Sequence, residues 1–226
     1  MSNILVVAAH SDDEALGCAG TIAKHVKNGD KVFPLFIADG VNSRDGDENA
    51  LSTREAAAKN ALKYLGTEPP IFLNFPDNRL DNVALLEIVQ IIEAQVEKIR
   101  PTRILTHWFN DLNVDHQIVC KAVHTATRPM PGQSVIEILC FEVLSSTEWN
   151  FCSTEQFRPN YFVEITETFD NKMLALKSYE MEMRPFPNAR SSEGVEALAK
   201  LRGVTVGVPF AEAFVMTRSL RSGDLV

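Results

Sequence analysis

The strongest constraint in this sequence is an apolar run that ends abruptly in charge: Ile4-Leu5-Val6-Val7-Ala8-Ala9 is followed at once by His10-Ser11-Asp12-Asp13-Glu14. A short apolar, β-branched run reads as a buried strand. The next stretch, Ala15 to Val26, reads as a helix. His10, Asp12 and Asp13 therefore fall on a strand-to-helix turn. In open α/β sheets ligands bind at such turns, outside the carboxyl ends of the strands. Helix capping by Ser11 or Asp12, with acids favoured in the first turn, is the competing account of this segment. It leaves His10 unexplained, and it gives no reason for two adjacent carboxylates.

The same alternation repeats down the chain. Strands are expected at Lys31–Ala38, Ile71–Phe75 and Arg103–His107, with Pro34 marking an edge position or an irregularity in the second. Val41 to Ala50 is polar and reads as a loop. Helices are expected from Ser52 to Leu65, closed by Gly66, from Asn82 to Arg100, stopped by Pro101, and from His116 to Thr127. Val135 to Val143, Tyr161 to Ile165 and Pro209 to Val215 read as further strands. Asp170 to Glu182 and Ser192 to Leu201 read as helices. Alternating strands and helices predict an α/β fold: a mostly parallel, Rossmann-like sheet with helices on both faces. No linker, repeat or low-complexity tract interrupts residues 1–226, so one domain is expected.

Composition excludes some functions. A net charge of -8 argues against nonspecific binding to nucleic acid or to an anionic membrane surface. The N-terminal apolar run is too short for a membrane span and lacks the basic flank of a signal peptide. Cys18, Cys120, Cys140 and Cys152 are scattered and form no CxxC, which fits reduced thiols and a cytoplasmic location. Cys18 and Cys120 lie in apolar helical patterns and are expected in the core.

Parallel strands point the same way, so the turn after the first strand and the turn after the fourth emerge at one sheet edge. His10 and Asp13 could then converge with His116, giving three N/O ligands with an open position, as catalytic zinc requires. Asp12 is left to act as a base. Asp115 can receive the second N–H of an imidazole. His107 ends a strand on the same edge and either faces the pocket or packs structurally. Arg54, opening a helix, is either a solvated charge or a planar fork aimed at a substrate oxygen.

These residues resemble the LmbE-like, or PIG-L, family of zinc-dependent de-N-acetylases. The family's A-H-P-D-D-E reads here Ala9-His10-Ser11-Asp12-Asp13-Glu14, and its H-P-D-H reads Asn113-Val114-Asp115-His116. Thr53-Arg54-Glu55, Pro76-Asp77-Asn78-Arg79-Leu80, Thr127-Arg128-Pro129 and Ala211-Glu212-Ala213-Phe214 extend the likeness. The resemblance implies that His10, Asp13 and His116 hold Zn2+ and that Asp12 is the general base. Asp115 would belong to the catalytic group, and Arg54 and Asp111 would contact substrate. The substrate implied is an N-acetylglucosamine-type amino-sugar conjugate, cleaved to acetate and a free amine. A trimeric or hexameric assembly is also implied.

Two departures matter. Ser11 replaces the usual proline. Asn113 stands where many members carry a histidine that stabilises the oxyanion, so either Asn113 or His107 must supply that donor. Two other readings compete: a receiver-like, Mg-binding phosphoacceptor domain, and a sugar-binding protein without catalysis. A dinucleotide site is disfavoured by the lack of Gly-x-Gly-x-x-Gly after the first strand. The segments Glu148 to Phe151 and Met183 to Pro187 read as loops whose aromatics either stack on a sugar or pack against the core.

Overall fold

The computed structural model describes residues 1–40 and 50–221. The loop expected at Val41 to Ala50 lies almost entirely outside them. Seven strands form one sheet: β1 (Asn3–Ala8), β2 (Lys31–Ala38), β3 (Ile71–Phe75), β4 (Arg103–His107), β5 (Glu137–Phe141), β6 (Tyr161–Glu164) and β7 (Ala211–Ser219). The order is β3-β2-β1-β4-β5-β7-β6. The first five run parallel to one another, and β7 is antiparallel to both β5 and β6. The helices are α1 (Asp13–Lys27), α2 (Ala50–Leu65), α3 (Leu85–Ile99), α4 (Val114–Ala126), α5 (Phe169–Ser178) and α6 (Ser192–Val206).

β1 explains why both faces of the sheet are covered. Ile4, Val6 and Ala8 pack with residues of α1, α2 and α5 on one side. Leu5, Val7 and Ala9 pack with α3 and α4 on the other. Side chains alternate along a strand, so a strand that is apolar at every position needs helices on both faces. Pro34 does not mark an edge strand: β2 lies between β1 and β3. β3 joins β2 only from Leu35 onward, and the register then shifts between Phe36 and Ala38. At Pro34 the sheet has therefore not yet begun to pair on that side.

The chain runs outward from β1 to β2 and β3, then returns through α3 to place β4 on the other side of β1. Strand order reverses there, and a crevice opens at the carboxyl ends of β1 and β4. The turns 9–13 and 108–116 leave the sheet at this point.

The first helix is not continuous. Cys18, at φ -148° and ψ 18°, breaks α1 after one turn. A buried ion pair from distant elements fills the break. Lys172 Nζ donates to Leu16 O at 2.7 Å and to Glu212 Oε1 at 2.7 Å. Glu212 in turn accepts from the backbone N–H of Gly20 (3.0 Å) and of Thr21 (2.7 Å). The lysine thus caps the carbonyl end of the first turn, and the glutamate caps the amide end of the second segment. Both helix ends carry orphan groups of the matching polarity. Gly17 lies against the Phe141 ring, 2.4 Å from where a Cβ would stand, so no larger residue fits there.

Candidate active site

Asp12 turns the chain from β1 into α1 at φ 130°, a backbone region that costs a non-glycine residue about 1–3 kcal/mol. Its side chain makes no capping bond to the helix. Instead Asp12 Oδ2 accepts from Arg190 Nη1 at 2.7 Å, and Oδ1 lies 3.4 Å from Arg54 Nη2. Capping is therefore not what this aspartate does. Burial raises its pKa, while Arg190 and Arg54 pull it down. Arg54 also donates to Ser11 Oγ (3.1 Å), Ser11 O (3.0 Å) and Glu182 Oε1 (2.7 Å). The serine that replaces a proline thus supplies a hydroxyl acceptor to the arginine clamp. Gly40, at φ 69°, leaves room for the clamp; a Cβ there would stand 2.5 Å from Arg54 Nε.

The structure brings His10, Asp13 and His116 together, with one ligand atom from each within 4.8 Å of the others. Asp13 Oδ2 lies 3.3 Å from His10 Nδ1 and 3.3 Å from His116 Nε2. All three residues are buried. The far nitrogens of both rings face carboxylates. His10 Nε2 is 2.9 Å from Asp77 Oδ1 and 3.1 Å from Asp115 Oδ2. His116 Nδ1 is 3.1 Å from Asp111 Oδ1, off the line of a well-directed hydrogen bond. Carboxylates behind both rings are the arrangement by which proteins orient metal-binding imidazoles.

A second grouping, His10 with Asp77 and Asp115, is also compact. Its Asp115 is already committed: Oδ2 accepts from Asn78 N at 2.7 Å, and Oδ1 from Leu80 N at 3.0 Å. Asp13 differs, because its buried Oδ1 has no hydrogen-bond partner among the described residues. Burial opposes the Asp13 charge, yet His116 and His10 beside it hold its pKa well below the usual carboxylate range. A buried carboxylate with an unused oxygen, between two imidazole rings, is a donor set that fits a divalent cation of the zinc type.

Other expected residues sit differently. His107 does not face a pocket. It is fully buried, its ring stacks on His116 at 3.9 Å, and its Nε2 accepts the Ala9 N–H at 2.8 Å. Burial and the neighbouring His116 push its pKa well below the ordinary histidine value, as suits a neutral acceptor. Asp111 is fully buried rather than open to substrate. It accepts from Ser146 Oγ, from Thr147 Oγ1 at 2.5 Å and from Asn113 N at 2.9 Å. It is tied up as a brace behind His116. Asn113 caps α4 by accepting from Asp115 N at 2.8 Å, which turns its amide Nδ2 away from the helix, toward Asn78 Oδ1 at 3.1 Å.

Sequence reading missed three participants. Arg190 lies in an irregular segment before α6, and no local pattern separates it from a solvated arginine. Asp77 was visible only within the Pro76–Leu80 match. Glu14 bonds the Asp12 N–H at 3.0 Å and accepts from Tyr179 Oη at 2.7 Å; burial pushes its pKa up to about 7. The glutamate was in plain view in the motif, but its partner lies on a distant turn.

The fold agrees with the comparisons to known proteins. The family profile described as PIG-L, GlcNAc-PI de-N-acetylase, matches residues 5–127, and the chain belongs to this family. Among its relatives, the uncharacterized deacetylase YaiS of Escherichia coli K12 is 31% identical, over 78% of this chain and 90% of that protein. A probable N-acetyl-alpha-D-glucosaminyl L-malate deacetylase of Bacillus cereus is 26% identical, over 80% and 83%. The fold alone is shared more widely. The crystal structure of GalB, the 4-carboxy-2-hydroxymuconate hydratase of Pseudomonas putida KT2440, superposes with a TM-score of 0.80 at 22% identity, covering all of both chains.

Proposed function

We propose that the protein is a zinc-dependent hydrolase that removes the N-acetyl group from an N-acetylglucosamine-type amino-sugar conjugate. The observation that carries this reading is the pairing of a three-ligand pocket, His10, Asp13 and His116, with a strained, arginine-held carboxylate at the intervening Asp12. Membership of the PIG-L family and the names of its relatives supply the substrate class.

When bound, zinc polarises the amide carbonyl and makes water acidic enough to lose a proton near neutral pH. Asp12 accepts that proton as the water oxygen bonds to the carbonyl carbon. It then delivers the proton to the departing sugar nitrogen as the C–N bond breaks, leaving acetate and an amine. Burial raises the Asp12 pKa, and Arg190 and Arg54 oppose that rise, favouring the charged form that a base needs. Asn113 Nδ2 is the donor proposed for the developing oxyanion, since His107 Nε2 is already an acceptor. Asp115 and Asp77 fix the His10 ring, and Asp111 fixes that of His116.

The test is acetate release from N-acetylglucosaminides by metal-stripped protein before and after zinc is restored. Release that needs the metal, and that is lost with zinc in His116→Ala, supports the reading. Full zinc content in His116→Ala would remove that residue from the ligand set. No acetate from any amino sugar, with water added across an unsaturated acid instead, would put the protein with the hydratase on this fold.

A further inference from the structure

Arg190 does more than hold Asp12. Its Nε donates to Ser145 Oγ at 2.6 Å while its Nη1 reaches Asp12 Oδ2. The neighbours of these two linked residues, Leu144 and Ala189, both line one open groove of about 810 Å³. The groove therefore begins one residue from the group that touches the proposed base.

Its remaining apolar walls are Trp149, Pro185, Phe186 and Pro187. Trp149 is 41% exposed and Phe186 67%, so these rings are not spent on the core. The polar side chains along the groove turn inward to their own loops. Glu148 accepts from Ser145 N (2.6 Å) and Ser146 N (3.3 Å). Arg184 Nη1 donates to Met181 O (2.7 Å) and Met183 O (2.9 Å). Asn188 Oδ1 accepts from Arg190 N at 2.9 Å. A groove whose polar side chains bond their own loops while Trp149 and Phe186 stay exposed favours stacking.

The geometry points to this groove as the subsite for the second half of the substrate, and to an aromatic ring joined to the amino sugar as its occupant. This rests on the deacetylase reading above, in which the acetamide lies at Asp12. Seated there, the sugar would carry its aglycone past Arg190 and onto Trp149 and Phe186.

The test compares the zinc-loaded protein on phenyl N-acetyl-β-glucosaminide and on free N-acetylglucosamine. A stacked aromatic pair corresponds to a preference of about 5- to 10-fold in kcat/KM for the phenyl glycoside. Trp149→Ala and Phe186→Ala should each bring that ratio toward one. A wild-type ratio near one overturns the groove while leaving the deacetylase reading intact. So does a ratio that both folded variants retain. If neither compound releases acetate, the deacetylase reading fails by itself, and calorimetric binding of phenyl glucosaminide still decides the groove. Several-fold weaker binding by Trp149→Ala supports it; equal binding, or none to the wild type, overturns it.

Discussion

Asp12 combines a backbone angle that L-residues avoid, near-complete burial and two arginines on one carboxylate. Strain of this kind persists where the surroundings over-determine it, and such places cluster at functional sites. Asp12→Asn should keep its zinc, measured by elemental analysis, and lose about 10²–10⁴-fold in turnover, the usual weight of a general base. Undiminished turnover would remove Asp12 from the chemistry. Asn113 caps α4, and substitutions can separate that job from the oxyanion role proposed for it. Ser at this position retains a capping oxygen for α4 but no amide donor, whereas Ala loses both. We expect Asn113→Ser to keep its melting temperature while turnover falls about 10²-fold, and Asn113→Ala to lose in addition about 1 kcal/mol of stability. At this scale the sequence was legible where chemistry is local: His10, Asp12 and Asp13 share one turn, and Asp115 adjoins His116. It was opaque where a residue acts through a distant partner. Arg190 meets Asp12 across 178 positions, and whether His107 faces the pocket or packs is decided only by its ring stacking on His116.

Among the elements, α1 joins the site to the rest of the fold. Its break at Cys18 is held by Lys172 from α5 and Glu212 from β7. Removing one member of a buried pair strands the other, at a cost of about 3–5 kcal/mol. Lys172→Met should show a loss of that size in urea unfolding, and Lys172→Met with Glu212→Gln should recover part of it. The far end of α1 carries a different device. His25 Nδ1 donates to Asp30 Oδ2 at 2.8 Å, and His25 Nε2 accepts from Arg103 Nη1 at 2.8 Å. Burial, aided by Arg103, lowers the His25 pKa below its ordinary 6.5. The folded protein then binds fewer protons here than the unfolded chain. Stability from this group is complete above about pH 6.5 and drains away as pH falls through the depressed value. His25→Gln should flatten that part of the stability-pH curve; an unchanged slope would contradict this. The helices and strands themselves were readable from periodicity, because β1 is apolar at every position and α3 is strongly amphipathic. The break in α1 was not, since Cys18 sits in an unremarkable apolar pattern and its cause lies in two other elements.

For the molecule as a whole, the proposed ion would be linked to folding. Zinc at about 100 times its dissociation constant should stabilise the fold by about 2.7 kcal/mol, which for a chain of this size is a rise of about 5–10 °C in melting temperature. Chelation should reverse the shift, and His116→Ala should show none. The parallel sheet, its two covered faces and a pocket at the carboxyl ends of its strands were implied by alternating strands and helices; the point where strand order reverses was not. What that alternation does not specify is β7, which enters antiparallel between β5 and β6 and brings Glu212 to α1. This has a consequence for the order in which the chain is made. Every proposed ligand has been synthesised by His116, whereas Arg190 and Glu212 come later in the chain. A nascent polypeptide halted between those points could sequester an ion yet would lack both the cation on its base and the brace beneath its first helical turn, so ion capture would precede competence for turnover.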